Sequence, residues 1–283
     1  MKTYRTVLKE FESYALDAGR EPSGIKRLLM HFSGLSGTEM FTSMDTPMEK
    51  KAYQAFESAV RDYVEHQRPV QHIVGSETFF GYEFLINKDA LIPRFETEEL
   101  VENSLLLMDE MFDSDTSLDL LDLGTGSGCI AITMDKEDER VKAIGTDISE
   151  KAVILARRNA EALGSSAKFV SGDLFDPVKD RTFDIILSNP PYIPQTEAVD
   201  PLIENYEPHV ALFGGEDGLD FYKIILAGIK PHLKNRFLIG FEHAYHHAEA
   251  LKEMARKHLP DAFVIQKKDM QGKDRMTFIM SRR

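Results

Sequence analysis

Ser188-Asn189-Pro190-Pro191-Tyr192-Ile193 directly follows the apolar run Phe183-Asp184-Ile185-Ile186-Leu187. A run of that kind reads as a buried parallel strand, and proline cannot donate to a sheet ladder, so the polar group falls just past the strand's carboxyl end. In open α/β sheets ligands sit at that rim. The Asn189 side-chain oxygen and the Pro190 carbonyl are two acceptors close together, suited to the two N–H donors of one planar –NH2 group. Such a nitrogen is a poor nucleophile because its lone pair is delocalised, so chemistry on it requires both N–H groups to be held and the lone pair aimed. Pro190 and Pro191 fix φ and stiffen the loop, and Tyr192 offers a flat face for stacking on an amide or a base. Read alone, the same residues also fit an Asn-Pro-Pro turn that ends a strand.

A second stretch, Leu118 to Ala131, reads strand, glycine loop, helix, with glycines at 124, 126 and 128. Glycines let backbone approach a ligand closely, and the amides of a helix N-terminus face whatever lies there. The third glycine of a dinucleotide fingerprint would fall on Cys129, so the match to a nicotinamide or flavin site is imperfect. A further strand, Val141 to Thr146, ends in Asp147, about 20 residues past the glycine loop, where a carboxylate can accept from both hydroxyls of a ribose. The same Asp147 also suits the start of the helix that follows. After the strand Lys168-Phe169-Val170, Asp173 can accept from the exocyclic amine of an adenine while Leu174 packs on the ring. Three strand ends thus present a phosphate-free glycine cradle, a ribose carboxylate and an adenine contact, and a fourth presents Asn-Pro-Pro-Tyr. That set suits S-adenosylmethionine.

The chain that must position these residues has 283 of them, 42% hydrophobic, enough for a substantial core. Its formal charge of −13 argues against a broad phosphate-binding surface and so against bulk nucleic acid. A single cysteine, Cys129, leaves no internal disulfide and no cysteine-pair metal spacing. The polar N-terminus and the lack of a long apolar run lead us to expect a cytoplasmic protein with no membrane association. Helical periodicity at Val7, Leu8, Phe11, at Ile25, Leu28, Leu29, and at Tyr53, Phe56, Val60, with Pro47 at a first helical position, predicts an N-terminal helical bundle over 1–75. A linking β-hairpin over 76–90 turns about Gly81-Tyr82, and a catalytic domain follows over 91–283. Within it Arg94 and Glu96 read as a solvated helix start, as does Glu242-His243-Ala244-Tyr245-His246-His247, so no metal site is expected. Alternating strands and helices, closed by Ala262 to Ile265 and Met276 to Ile279 as an antiparallel pair, predict a doubly wound α/β sheet.

The chain resembles, nearly end to end, the glutamine-N5 methyltransferases that modify peptide chain release factors. Asn-Pro-Pro-Tyr alone is shared with adenine-N6 DNA methyltransferases. The resemblance is carried further by Pro69-Val70-Gln71-His72-Ile73-Val74-Gly75, by Phe80-Gly81, and by Leu91-Ile92-Pro93-Arg94 with Glu96-Thr97-Glu98. Leu121 to Gly128, Tyr206-Glu207-Pro208, Ala211-Leu212-Phe213, Gly214 to Leu219 and Gly272-Lys273-Asp274-Arg275 extend it.

The resemblance implies a Rossmann-like class I S-adenosylmethionine-dependent methyltransferase core, with a mostly parallel seven-stranded sheet, behind a small N-terminal helical bundle. It implies that Gly124, Thr125, Gly126, Ser127, Gly128 and Asp147 bind cofactor, that Asp173 and Leu174 contact its adenine, and that Asn189 lies between cofactor and substrate. Asn189, Pro190, Pro191 and Tyr192 would grip the glutamine of a Gly-Gly-Gln loop, with Asn189, Pro190 and Tyr192 catalytic. The 91–99 and 206–219 segments would wall the pocket, and the bundle would dock a bacterial class I release factor, with no nucleic-acid substrate. The expected reaction is methyl transfer from sulfonium to nitrogen, leaving S-adenosylhomocysteine, with no metal and no general base. Departures from the family pattern are Phe95 for proline, His72 for tyrosine, Lys234-Asn235-Arg236 for a glycine turn, and the 242–247 segment. A ribosomal-protein glutamine is the nearest rival substrate, followed by an adenine in nucleic acid. A binding protein without activity is the remaining reading, opposed by the intact Asn189 and glycine loop.

Overall fold

The computed structural model describes residues 1–199 and 201–281; the last two positions of the expected catalytic domain, 282 and 283, lie outside them. The chain divides into two compact units, with the boundary after Ser76. The first holds α1 (Tyr4–Asp17), α2 (Pro22–Ser33), α3 (Gly37–Thr42), α4 (Lys50–Val64) and α5 (Val70–Val74). Their apolar faces meet in a core built on Val7, Ile25, Leu28, Leu29, Phe56 and Val60. Pro47 does not open α4, which begins three residues later; it forms an isolated bridge with Thr3 that ties the start of α1 to the loop before α4. The short α3 carries a capping box, with Ser36 and Glu39 satisfying each other's backbone N–H.

A hairpin of β1 (Ser76–Phe79), whose first residue ends the first unit, and β2 (Tyr82–Leu85) opens the second. Its turn is Phe80-Gly81 rather than Gly81-Tyr82, and both residues have positive φ, 51° and 79°, as a two-residue hairpin turn requires. Then come α6 (Phe95–Met111), β3 (Leu118–Leu123), α7 (Cys129–Glu137), β4 (Val141–Asp147), α8 (Glu150–Leu163), β5 (Lys168–Ser171) and β6 (Phe183–Ser188). After α9 (Pro201–Tyr206), which belongs to the first unit, α10 (Asp220–Gly228), β7 (Leu233–Glu242), α11 (Ala248–His258), β8 (Phe263–Lys268) and β9 (Asp274–Met280) complete it.

The sheet order is β5-β4-β3-β6-β7-β9-β8. The first five strands are parallel and β9 runs antiparallel to both neighbours. Alternate residues of the apolar strands feed opposite layers. Leu120, Ile185, Leu187 and Leu238 pack toward α6 and α7 with Leu100, Val101 and Ile130, whereas Leu121, Ile186, Ile239 and Phe241 pack toward α10 and α11 with Tyr222, Ile225 and Leu251. This is the class I methyltransferase architecture. The chain leaves β3 toward β4 and leaves β6 toward β7, in opposite directions, so the crevice between the ends of β3 and β6 is the topological switch point. Leu123 pairs with Ser188 there, and the Ser188 hydroxyl donates to Leu123 O at 2.7 Å, so Gly124 and Asn189 emerge side by side.

Candidate active site

A pocket occupies that crevice. Its wall takes Gly124, Thr125, Gly126 and Ser127 from the β3–α7 loop, Asp147 from the tip of β4, Asp173 and Leu174 from beyond β5, and Asn189, Pro190 and Pro191 from beyond β6. Leu91, Pro93, Arg94 and Thr97 close one side, and Pro208, Val210, Ala211 and Phe221 another. Two expected residues stand elsewhere. Gly128, at φ 83°, lies under the loop, where an added Cβ would come within 3.0 Å of Ala156 and Ile132; it packs the loop onto α8 rather than facing the pocket. Tyr192 packs into the core beside α10, near the Glu242 carboxylate, and is not part of the pocket wall, so it does not offer its ring to a ligand there.

The glycine loop is tied to β4. Gly124 N and Thr125 N each donate to Thr146 O at 2.9 Å, and Gly126 N donates to Asp147 Oδ2 at 2.9 Å. Asp147 Oδ1 accepts from Ser149 N at 2.8 Å, at the start of α8. Each oxygen keeps a lone pair for a ligand. Burial raises this carboxyl above its ordinary 3.8, and the two backbone donors pull it back. Behind the loop Asp122 is fully buried, accepts from the Thr125 hydroxyl at 2.5 Å, and is pushed up to about 7 by desolvation. Leu174 is held at φ 39°, with its carbonyl accepting from the Thr146 hydroxyl at 3.0 Å.

Arg94 is the one basic residue in the described pocket wall, and it is committed to an ion pair with buried Glu207. The expected helix start forms, with Arg94 as the N-cap of α6, but Arg94 is paired with Glu207 rather than freely solvated. The wall's other charged groups are the carboxylates of Asp89, Asp147 and Asp173. A pocket so charged disfavours a diphosphate and suits a nucleoside that carries positive charge.

Asn189 donates through Nδ2 to Thr97 Oγ1 at 3.1 Å, and the Thr97 hydroxyl donates to Glu242 Oε2 at 2.6 Å. Glu242 is 1% exposed and His243 is 0% exposed, which corrects the expectation of a solvated helix start at 242–247. β7 runs on through Glu242 and pairs with Met276 of β9, carrying the segment into the interior before α11 begins. Desolvation raises the Glu242 carboxyl to about 7 and lowers the His243 imidazole to about 4. His243 is a neutral spacer, bonded to Ala244 O and to the Thr277 hydroxyl, both at 2.9 Å. His247 bonds Asp217 O at 3.1 Å and anchors the 214–219 loop. Among the described residues no cluster of three or more His, Cys, Asp or Glu is arranged to hold a metal, and no helix is long and apolar enough to cross a membrane.

The 211–218 loop clamps the segment that follows Asn189. Ile193 N donates to Leu212 O at 3.0 Å, Gly214 N to Ile193 O at 2.9 Å, and Gln195 N to Gly215 O at 2.9 Å. Sequence reading gave no role to Glu242 or Phe221, and placed Thr97 only within the 91–99 wall. A glutamate at the carboxyl end of a central strand, on the ligand rim, was the available signal for Glu242. Phe221 carried none, and the specific role of Thr97 comes from its meeting with Asn189 and Glu242 in the fold.

Two family models match the chain, the PrmC N-terminal domain over residues 6–75 and the methyltransferase small domain over 94–207. The release factor glutamine methyltransferase of Bacillus subtilis is 38% identical over 279 residues, 97% of this chain and 96% of its own. That of Geobacter sulfurreducens is 34% identical over 279 residues, 97% of this chain and 95% of its own. Among solved structures, a methyltransferase from Pyrococcus furiosus superposes with a TM-score of 0.52 at 21% identity, covering 71% of this chain and 89% of that one, a likeness of fold. Full-length identity to these relatives, over a methyltransferase sheet with this pocket at its switch point, places the chain in the family of release factor glutamine methyltransferases.

Proposed function

We propose that this protein transfers a methyl group from S-adenosylmethionine to the side-chain amide nitrogen of the glutamine in the Gly-Gly-Gln loop of bacterial class I release factors. The observation that carries this reading is the placement of Asn189 beside Gly124, with two amide acceptors and an anionic nucleoside pocket sharing one crevice. S-adenosylmethionine supplies an electrophilic methyl on a positively charged sulfur. Gly124 to Ser127 and the N-terminus of α7 cradle it, Asp147 takes its ribose hydroxyls, and Asp173 and Leu174 meet its adenine.

Asn189 Oδ1 and Pro190 O accept the two N–H groups of the glutamine amide, with Pro191 stiffening the loop. Holding both N–H groups on acceptors turns the nitrogen lone pair away from the loop. The same acceptors stabilise positive charge that grows on nitrogen. The proton then leaves to water, so no side chain is needed as a base. Tyr192 contributes by packing into the core and fixing the loop backbone rather than by stacking. The first unit docks the release factor outside its reactive loop.

Incubation of the purified protein with methyl-labelled S-adenosylmethionine and, in parallel, a release factor, ribosomal proteins and adenine-containing DNA tests the reading. Label in the release factor is the expected result. Label only in a ribosomal protein or in DNA would discard the substrate and keep the cofactor.

A further inference from the structure

We propose that Glu242 acts through Thr97 as a positioning residue that turns the Asn189 side-chain oxygen toward the pocket. The proposal rests on the reading above, in which that oxygen binds the substrate amide.

The polarity of the chain follows from what each group can donate. An ionised carboxylate only accepts, so across 2.6 Å the Thr97 hydroxyl gives its one proton to Glu242 Oε2. The Thr97 oxygen is then left with lone pairs and needs a donor. Asn189 Nδ2 supplies it at 3.1 Å, and the same choice sends Oδ1 the other way, toward the pocket that Asn189 lines. An amide turned over would place two acceptors against each other and present N–H donors to a substrate that itself brings N–H donors. A protonated carboxyl at 242 removes this order, because it can donate to Thr97, whose hydroxyl is then free to donate to the Asn189 oxygen.

The neighbours of Glu242 hold it in place for this task. The Tyr222 hydroxyl from α10 donates to its main-chain oxygen at 2.7 Å, and the nearby Tyr192 hydroxyl favours its ionised form. Arg275 on β9 favours the ionised form from nearby while bonded to Asp269 at 3.2 Å and His243 O at 3.3 Å. Burial and Glu96 on α6 oppose ionisation. Tyr192, Tyr222 and Cys129 keep their protons, since burial raises all three, and His243 stays neutral. The balance leaves Glu242 titrating at about 7, so the orientation of Asn189 follows pH in the working range. Activity should rise with pH as Glu242 ionises.

The test is the pH profile of kcat and KM for a release factor with wild-type protein, Thr97→Val, Thr97→Ser, Glu242→Gln and Asn189→Ala, with S-adenosylmethionine affinity measured calorimetrically on each. Thr97→Val keeps the shape and removes the relay, so it should lower kcat about 10-fold or more, abolish the acid limb, and leave cofactor affinity within about 2-fold. Thr97→Ser should recover most of the loss. With selective 15N labelling, the Asn189 carboxamide signal should titrate with the same midpoint in wild type and stop titrating in Thr97→Val. If Glu242→Gln does not fold, Thr97→Val carries the test. A Thr97→Val protein with wild-type kcat and an intact acid limb, beside an inactive Asn189→Ala, would overturn the positioning role alone. An active Asn189→Ala would overturn the amide-binding reading and this proposal with it.

Discussion

Gly218 packs so closely on Tyr192 that a Cβ built on it would lie 2.3 Å from the Tyr192 carbonyl oxygen and 2.8 Å from His247 Cε1. With φ at 76°, the position is also one that other residues adopt only under strain. The backbone leading out of the Asn-Pro-Pro turn is thus fixed from outside by a loop some 25 residues further along the chain. Gly218→Ala should push the two segments apart, destabilise the protein by about 1–3 kcal/mol, and lower kcat more than it weakens cofactor binding. Steady-state kinetics beside a denaturation midpoint would separate the two effects. Wild-type kcat in the variant would mean that the clamp does not set the loop.

Asp147 holds the glycine loop and the start of α8 with one oxygen each. Asp147→Ala removes both bonds and the proposed ribose acceptor. S-adenosylmethionine affinity should fall about 10-fold to 100-fold, with release factor binding retained. Calorimetry with each ligand separately checks this, and unchanged cofactor affinity would remove Asp147 from the site.

Glu207 is buried and its charge is met by half-exposed Arg94. Arg94→Met should cost about 1–3 kcal/mol, less than a fully buried pair because water reaches the guanidinium. Arg94→Met with Glu207→Gln should recover part of that loss, since the stranded carboxylate is gone. A double-mutant cycle on denaturant midpoints reads the coupling, and strict additivity would contradict the pairing.

Asp122 contributes to the pH dependence of stability, alongside Glu242. Its carboxyl titrates at about 7 in the folded chain against an ordinary 3.8, so between those values the folded state holds a proton that the unfolded chain has released. Its contribution is complete at low pH and is lost as pH rises through about 7. Asp122→Asn should flatten the fall in stability between mildly acidic and mildly alkaline pH by about 1 kcal/mol or more. Denaturant midpoints across that range measure it, and parallel wild-type and variant curves would refute the assignment.

Much of the sheet was legible because parallel strands buried on both faces leave apolar runs, as at Leu118 to Leu123 and Phe183 to Leu187. The glycine loop and Asp147 were legible because close approach and strand-tip position restrict residue type. The short helices α3, α5 and α9 went unread, being too brief for a periodic signal. Glu242 was misread because Glu-His-Ala-Tyr-His-His looks solvated in isolation, and only pairing with β9 draws it inside. Tyr192 was misjudged for a similar reason. An aromatic after Asn-Pro-Pro suggests stacking, yet its direction depends on the 211–218 loop and on α10. The contact between Asn189 and Thr97 spans 92 positions of sequence, and no local pattern encodes it.

In the proposed mechanism the Asn189 crevice directs a methyl group onto one glutamine nitrogen. Peptide mapping by mass spectrometry, on a release factor incubated with S-adenosylmethionine and either wild-type protein or Asn189→Ala, tests it most directly. A single methyl on the Gly-Gly-Gln glutamine with wild type, and none with Asn189→Ala despite retained cofactor affinity, is the predicted result. Methylation at another residue, or equal methylation by Asn189→Ala, would contradict it.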